Sequence, residues 1–268
     1  MTTLETDRFK GAEKYEAYLR TPSGMLRSDL AWKNLQQHFP TTISNLRALD
    51  IGGGTGLVSL RLAKAGFQVV LLDSSAEMLA IARKTVETAG QSVPVTLRHA
   101  GADQLGTNLD NSAFHIVVCH NVLEFVDDAA AAIRDVASLL ALDGRASFLV
   151  RNRAGEVLKA AIATGDLSRA KEALEATTAV DSLFGQTMRV FTPHEIRAML
   201  QAANLELLAE YGVRVFSDYV NLENIDSTRY AQLLDLESTL GAKPDFAAIS
   251  RYSQFIVRPS SASRGITE

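Results

Sequence analysis

Asp50-Ile51-Gly52-Gly53-Gly54-Thr55-Gly56 closes the apolar run Leu46–Leu49 and leads at once into a helical pattern. In that pattern Leu57, Leu60, Leu62 and Ala63 are spaced for one buried face. A strand that passes through glycines into a helix builds a cradle for a nucleotide-type cofactor. Glycine permits the tight turn and lets a ligand approach bare backbone, and the helix start presents unpaired N–H groups.

Two details narrow the choice of cofactor. A dinucleotide fingerprint counted from Gly52 needs a glycine at position 57, which is Leu57; the third glycine is Gly56 instead. Asp50 stands just ahead of the glycines, where it would repel a pyrophosphate and attract a cationic group. S-adenosylmethionine carries such a group in its amino-acid end and has no phosphate. The next apolar run, Gln68–Leu72, reads as a strand covered on both faces and ends at Asp73, a position suited to both ribose hydroxyls. Ser74 followed by Glu77 reads as a capping box, and Met78 in the first turn of that helix is placed to cover the adenine.

Downstream, Val95–His99, Phe114–Cys119 and Ala146–Val150 read as strands, separated by helical patterns at Ala76–Thr88 and Ala129–Leu140. This alternation implies a doubly wound α/β fold, with a mostly parallel sheet whose ligands lie beyond the carboxyl ends of its strands. Residues 151–190 break the rhythm with two helical patterns and no strand, and read as a helical insertion or lid. Thr192-Pro193-His194-Glu195 then starts a helix. Strands are expected at Leu205–Phe216 and Gln254–Val257, with a helix near Arg229–Leu240 between them. The organisation is therefore an N-terminal segment over 1–45, a cofactor-binding core over 46–150, the insertion, a C-terminal part of the sheet over 191–258, and a flexible tail over 259–268.

Composition fits this picture. The chain has 268 residues, 47% hydrophobic and 22% charged, enough for one sizeable domain. It offers no apolar run of membrane-spanning length and no signal-peptide pattern at its start. A single cysteine, Cys119, leaves no internal disulfide, so the cytoplasm is expected. The five histidines form no metal-ligand spacing. The net charge of −4 and the lack of a long basic run argue against an extended phosphate-binding face.

The Asp-x-Gly-x-Gly-x-Gly motif with Asp73 resembles the class I S-adenosylmethionine-dependent methyltransferases, whose Rossmann-like sheet has seven strands, the final one antiparallel. A narrower likeness rests on Leu26-Arg27 with Trp32, the run His120–Val126, the run Gly212–Tyr219, and Leu234-x-Leu236-Glu237 ahead of Arg251-Tyr252. On these residues, from about Gly24 to Val257, the chain is similar to the bacterial tRNA 5-carboxymethoxyuridine methyltransferases. That resemblance implies an N-terminal segment closing over the cofactor, and a cofactor site lined by Arg27, Gly52, Gly53, Asp73, Ala102 and His120. Arg27 would hold the methionine carboxylate in a two-pronged hydrogen bond. Asp50, Gly54, Gly56, Ser74 and Met78 complete the expected site, with Asp103 as the contact for the adenine amino group. The chain departs from the family in its insertion, which mixes Arg169, Lys171 and Arg189 with Glu172, Glu175 and Asp181 where the family carries a lysine-rich run.

A carboxylate acceptor is ionised at neutral pH and needs no general base, only a cation to hold it. Arg214 is the first candidate for that cation, followed by Arg151 and Arg153; Tyr219 belongs to the same set. His120 admits a second mechanism, as the base for a hydroxyl or amine acceptor. Three functions stay open on the sequence: methylation of a modified wobble uridine in tRNA, methylation of a small molecule by the same core, and cofactor binding without catalysis.

Overall fold

The computed structural model describes residues 11–43, 45–90, 93–105, 109 and 113–260. Residues 1–10 of the expected N-terminal segment and 261–268 of the expected tail lie outside them. Two helices, α1 (Ala12–Leu19) and α2 (Pro22–Gln36), precede β1 (Arg47–Ile51). The glycine loop leads into α3 (Leu57–Lys64), followed by β2 (Gln68–Asp73), α4 (Ala76–Ala89), β3 (Val95–His99) and β4 (Phe114–His120). After helix Ala129–Leu139 come β5 (Leu140–Arg151) and the insertion, then helix Pro193–Ala202, β8 (Leu205–Val213), helix Ser227–Gly241 and β9 (Tyr252–Pro259).

The seven-stranded sheet has the order β3-β2-β1-β4-β5-β9-β8. β1 to β5 are parallel, and β9 enters antiparallel between β5 and β8. Alternation along the strands divides the core. Leu49, Ile51, Val117 and Phe148 pack on one face with Ile133, Ile196 and Leu200 of two crossover helices. Ala48, Val69, Ile116 and Val118 pack on the other face with Leu35 of α2 and Leu62 of α3. Two covered faces explain why the inner strands read as continuous apolar runs. Among the described residues no helix is long and apolar enough to cross a membrane.

Several local expectations need correction. The cap of α4 is Ser75, whose hydroxyl accepts from Met78 N at 3.3 Å; Ser74 lies one residue outside, and Glu77 accepts from Gly11 N instead. β5 starts at Leu140 because Asp143-Gly144 sits in a register shift against Phe114–Ile116 and does not end the strand. The insertion, read as strandless, contains the antiparallel ribbon of β6 (Thr178–Val180) and β7 (Thr187–Arg189) after its helices. Asp181 shapes the turn between them by accepting from Leu183 N and Phe184 N. β8 stops at Val213, not Phe216, because Arg214 turns into the left-handed region (φ 62°). β9 runs through Pro259, so position 259 belongs to the sheet, paired with Leu205.

Candidate active site

A cavity of about 1620 Å³ opens beyond the carboxyl ends of the strands. At one end the glycine loop is tied to β2, with Gly52 N and Gly53 N both donating to Leu72 O at 2.7 and 3.2 Å. Gly52 (φ 64°) and Gly54 (φ 55°) occupy backbone conformations that favour glycine. A Cβ at Gly52 would fall on Val122 Cγ2, far inside contact distance, and one at Gly54 would meet the Tyr15 ring at 3.5 Å. Asp73 joins this loop to the next helix: Oδ2 accepts from Gly54 N and Oδ1 from Ser75 N, each at 2.8 Å.

Ser74, Met78, Ala102 and Asp103 line the cavity beside Asp73, together with the rest of the segment from His99 to Gln104. Gly53 and Gly56 face the other way: a Cβ would meet Leu71 at the first and Ala82 at the second. Asp50 also differs from expectation. Its carboxylate is 3% exposed and accepts from Ser59 Oγ at 2.6 Å, beneath the loop, where it offers no charge to a ligand. Burial pushes its carboxyl up to about 7, against the opposing Ser59 hydrogen bond.

Arg27 of α2 reaches the floor of the cavity. Nη2 donates to the Tyr15 hydroxyl at 2.9 Å and Nη1 to Asn121 Oδ1 at 3.3 Å, and no carboxylate pairs with it among the described residues. Asn121, in the left-handed region like many turn asparagines, passes its amide to Glu124 Oε1, which also accepts from Arg151 N. The residues therefore fit the nucleoside and amino acid of an adenosylmethionine: acceptor oxygens at Asp73, a covered slot at Met78 and Ala102, and an unpaired cation at Arg27.

His120 lines the same cavity and is hydrogen-bonded within it. Nε2 lies 2.7 Å from Ser147 Oγ, and Ser147 in turn accepts from Gln254 Nε2 at 3.0 Å. Ser147 Oγ, with one proton and a second lone pair, can donate to or accept from that nitrogen, so the imidazole tautomer sets the direction of the bond. Burial, with the charge of Arg27 adding to it, pulls the imidazole down to about 3. A histidine so weakly basic is neutral at physiological pH and takes up a proton poorly.

The far end of the cavity is built by strand register. Arg151 at the end of β5 and Val213 at the end of β8 both pair with Tyr252 at the start of β9. Arg151, Arg214 and Arg251 therefore converge at one level. Arg214 is held in place by its loop, whose Val215, Phe216 and Ser217 N–H groups all donate to the buried Glu237 carboxylate. Its guanidinium pairs with Asp218 and donates to the Tyr18 hydroxyl at 3.1 Å. Arg251 pairs with Glu156 at 2.9 Å and Asp218 at 3.3 Å; Arg151 pairs with Asp181 at 3.4 Å and Glu156 at 3.6 Å. Arg153 and Tyr219 do not join them. The Arg153 guanidinium is turned to Glu195, 3.0 Å away in helix Pro193–Ala202, and Tyr219 lies outside the cavity lining.

Comparison with known proteins agrees with this geometry. Residues 24–210 match the family described as a methyltransferase domain. The chain belongs to this methyltransferase family. Its methyl donor is S-adenosylmethionine. The chain is 27% identical to the tRNA 5-carboxymethoxyuridine methyltransferase of Escherichia coli (strain K12), over 92% of its own length and 94% of that protein. It is 34% identical to the ubiquinone biosynthesis O-methyltransferase of Aromatoleum aromaticum, over 41% and 46% of the two chains. In fold it is similar to the CcbJ methyltransferase of Streptomyces caelestis, with TM-score 0.58 and 18% identity over 95% and 94% of the chains.

The methyltransferase site contains residues that the motif-based reading did not assign: Tyr15, Tyr18, Asn121, Phe184, Arg251 and Tyr252. Tyr15 and Phe184 stack at 6.0 Å across the cavity, joining α1 to the ribbon turn of the insertion. The signals for any of them were the His120–Val126 run, which contains Asn121, and the Arg251-Tyr252 pair at the head of a strand.

Proposed function

We propose that this methyltransferase esterifies the side-chain carboxylate of 5-carboxymethoxyuridine at the wobble position of tRNA. The observation that carries the reading is the convergence of Arg151, Arg214 and Arg251 at the end of the cavity away from the glycine loop. A cluster of guanidiniums suits an anionic acceptor, and the absence of a competent base at His120 suits one that is already deprotonated. Single-ligand pockets commonly span about 300–1,000 Å³, so about 1620 Å³ leaves room for a nucleoside beside the cofactor.

The bound cofactor supplies a methyl group already activated by its sulfonium. The chain's own task is then alignment. Asp73 and Arg27 fix the two ends of the donor, and Arg214, braced by Asp218 and Tyr18, holds the acceptor carboxylate facing it. Neutral His120 packs the wall between them without trading protons. We assign the activity to the cytoplasm.

A small-molecule carboxylate is the second reading, and the mixed charge of the insertion favours it: Arg169 and Lys171 are followed at once by Glu172 and Glu175, giving no basic track for tRNA phosphates. Labelled S-adenosylmethionine, with bulk tRNA from a strain lacking this protein, separates the two. Label that enters tRNA and is released by mild alkali is the expected result. No label in tRNA, from protein that binds the cofactor, would overturn the tRNA assignment.

A further inference from the structure

Lys159 lines the cavity on the side of Arg151 and Arg251, and the fold sets its position. The helix Arg153–Leu158 is pinned at its start to the segment that leads into β9. Asn152 Nδ2 donates to Ala248 O and Ser250 O at 3.0 and 2.9 Å, and Arg251 Nη1 donates to Gly155 O at 3.3 Å. A Cβ at Gly155 would meet Arg251 Cα and Ser250 O, both at 2.8 Å, so the helix lies directly against the strand entry. It then widens into a π turn, Lys159–Ala163, closed by Thr164 Oγ1 donating to Ala160 O at 2.7 Å. Such turns are rare and recur at functional sites. Lys159 opens the turn, half-buried within the electrostatic reach of Arg251, Glu156, Arg151 and Tyr252.

Pairing separates Lys159 from the arginines around it. Asp218 pairs with Arg214 and Arg251, Glu156 with Arg251 and Arg151, and Asp181 with Arg151. Glu124 faces Arg151 as well, accepting from its backbone N at 2.8 Å. Three guanidiniums thus meet four carboxyl groups, and they are matched whether or not Glu124 is ionised. An arriving anion finds hydrogen-bond donors on them, but their charge is already balanced. The ammonium of Lys159 is in no ion pair and no hydrogen bond among the described residues. Glu156, three residues before it, is turned to Arg151 and Arg251 instead. Arg27, the other cavity-lining cation with no carboxylate partner among the described residues, belongs to the donor end.

We propose that Lys159 is the residue that selects an anionic acceptor: its ammonium pairs with the acceptor carboxylate, and the arginines shape the place around it. Ammonium and carboxylate meet as ions, so no proton changes hands. Once an oxygen of that carboxylate carries the methyl group, the acceptor is a neutral ester that no longer holds the ammonium, and the product is free to leave. Burial first, and then Arg251 and Arg151 against the opposing Glu156, holds the ammonium below the ordinary lysine value, as befits a cation without its counter-ion.

The inference rests on the proposed carboxylate acceptor, and its test keeps the two apart. Calorimetry follows binding of 5-carboxymethoxyuridine and of its methyl ester to protein saturated with S-adenosylhomocysteine, for the wild type, Lys159→Met and Lys159→Arg. Lys159→Met should weaken the carboxylate by about tenfold to a hundredfold, the loss of one charged hydrogen bond, and leave the ester and S-adenosylhomocysteine unchanged. Lys159→Arg keeps the charge and should retain most of the affinity. Equal affinity of the wild type and Lys159→Met for the carboxylate would overturn the proposal. So would an equal loss for carboxylate and ester, which is what a purely structural role produces. Methoxyacetate, the acceptor's side chain without its nucleoside, is titrated alongside by ligand-observed NMR. If the nucleoside fails to bind while methoxyacetate binds and loses affinity in Lys159→Met, the inference stands, and the tRNA labelling decides the uridine reading. If neither anion depends on Lys159, the inference falls.

Discussion

Replacing Gly52 by Ala tests how the cofactor cradle is held. Two separate penalties meet there. The left-handed backbone (φ 64°) disfavours a residue with a Cβ by about 1–2 kcal/mol, partly offset by about 0.4–1 kcal/mol from a stiffer unfolded chain. The new methyl group would also fall on Val122 Cγ2, and overpacking of this kind costs about 1–3 kcal/mol. Gly54→Ala provides the control, since it has the same backbone problem (φ 55°) but an ordinary 3.5 Å contact with Tyr15. The expected losses of unfolding free energy are about 1 kcal/mol for Gly54→Ala and about 2–4 kcal/mol for Gly52→Ala. Urea denaturation of both, with Val122→Ala alone and combined with Gly52→Ala, closes a double-mutant cycle. Val122→Ala should recover the packing part and leave the backbone part. Equal losses at the two glycines, or no coupling between Gly52 and Val122, would refute the reasoning.

Three further outcomes are expected. Asp73→Asn replaces a carboxylate oxygen by an amide nitrogen facing backbone N–H groups; losing one charged hydrogen bond of about 1.5–3 kcal/mol should weaken S-adenosylhomocysteine binding by about tenfold to a hundredfold in calorimetry, and unchanged affinity would remove Asp73 from the site. Arg214→Lys keeps the charge but loses the planar fork, so the acceptor KM should rise about tenfold or more while cofactor affinity stays put; equal losses in both would contradict its place at the acceptor end. Asp50 has a folded value raised to about 7 against about 3.9 unfolded, so its contribution to stability is full below about pH 4 and is lost as pH rises through 7, by about 4 kcal/mol. Asp50→Asn should flatten that part of the pH–stability curve, and a curve identical to the wild type would show that Asp50 is not the group responsible.

The sheet was legible because its decisive signals are local. Asp50–Gly56 must pair glycines with a strand end, and Thr192 and Glu195 form a capping box around the N1 proline, Pro193, within four residues. The register shift at Asp143-Gly144 and the three-residue strands at Thr178–Val180 and Thr187–Arg189 were not legible, since each depends on a distant partner. The site divides along the same line. Asp73, Met78, Ala102 and Asp103 follow the strand ends of the first half and could be placed from sequence. Asp50 was misread because its neighbour in space, Ser59, lies a full helical turn beyond the glycines and takes the carboxylate inward. Arg153 looked equivalent to Arg151, two residues away, but the chain leaves the strand between them and the second guanidinium turns to Glu195. Tyr15 and Tyr18 of α1 and Tyr252 of β9 come from opposite ends of the chain and meet around Arg27.

The antiparallel entry of β9 has a consequence for how the molecule comes into being. Strands β1 to β5 are neighbours made in near succession, so the cofactor half can take shape while later segments are still being synthesised. The slot between β5 and β8 stays vacant until the last described strand arrives, and that strand brings Arg251 and Tyr252 at its head. A nascent chain can therefore complete the glycine loop and Asp73 before it completes the end of the cavity where Arg151, Arg214 and Arg251 meet. That end of the cavity closes only when the last described strand joins β5 to β8.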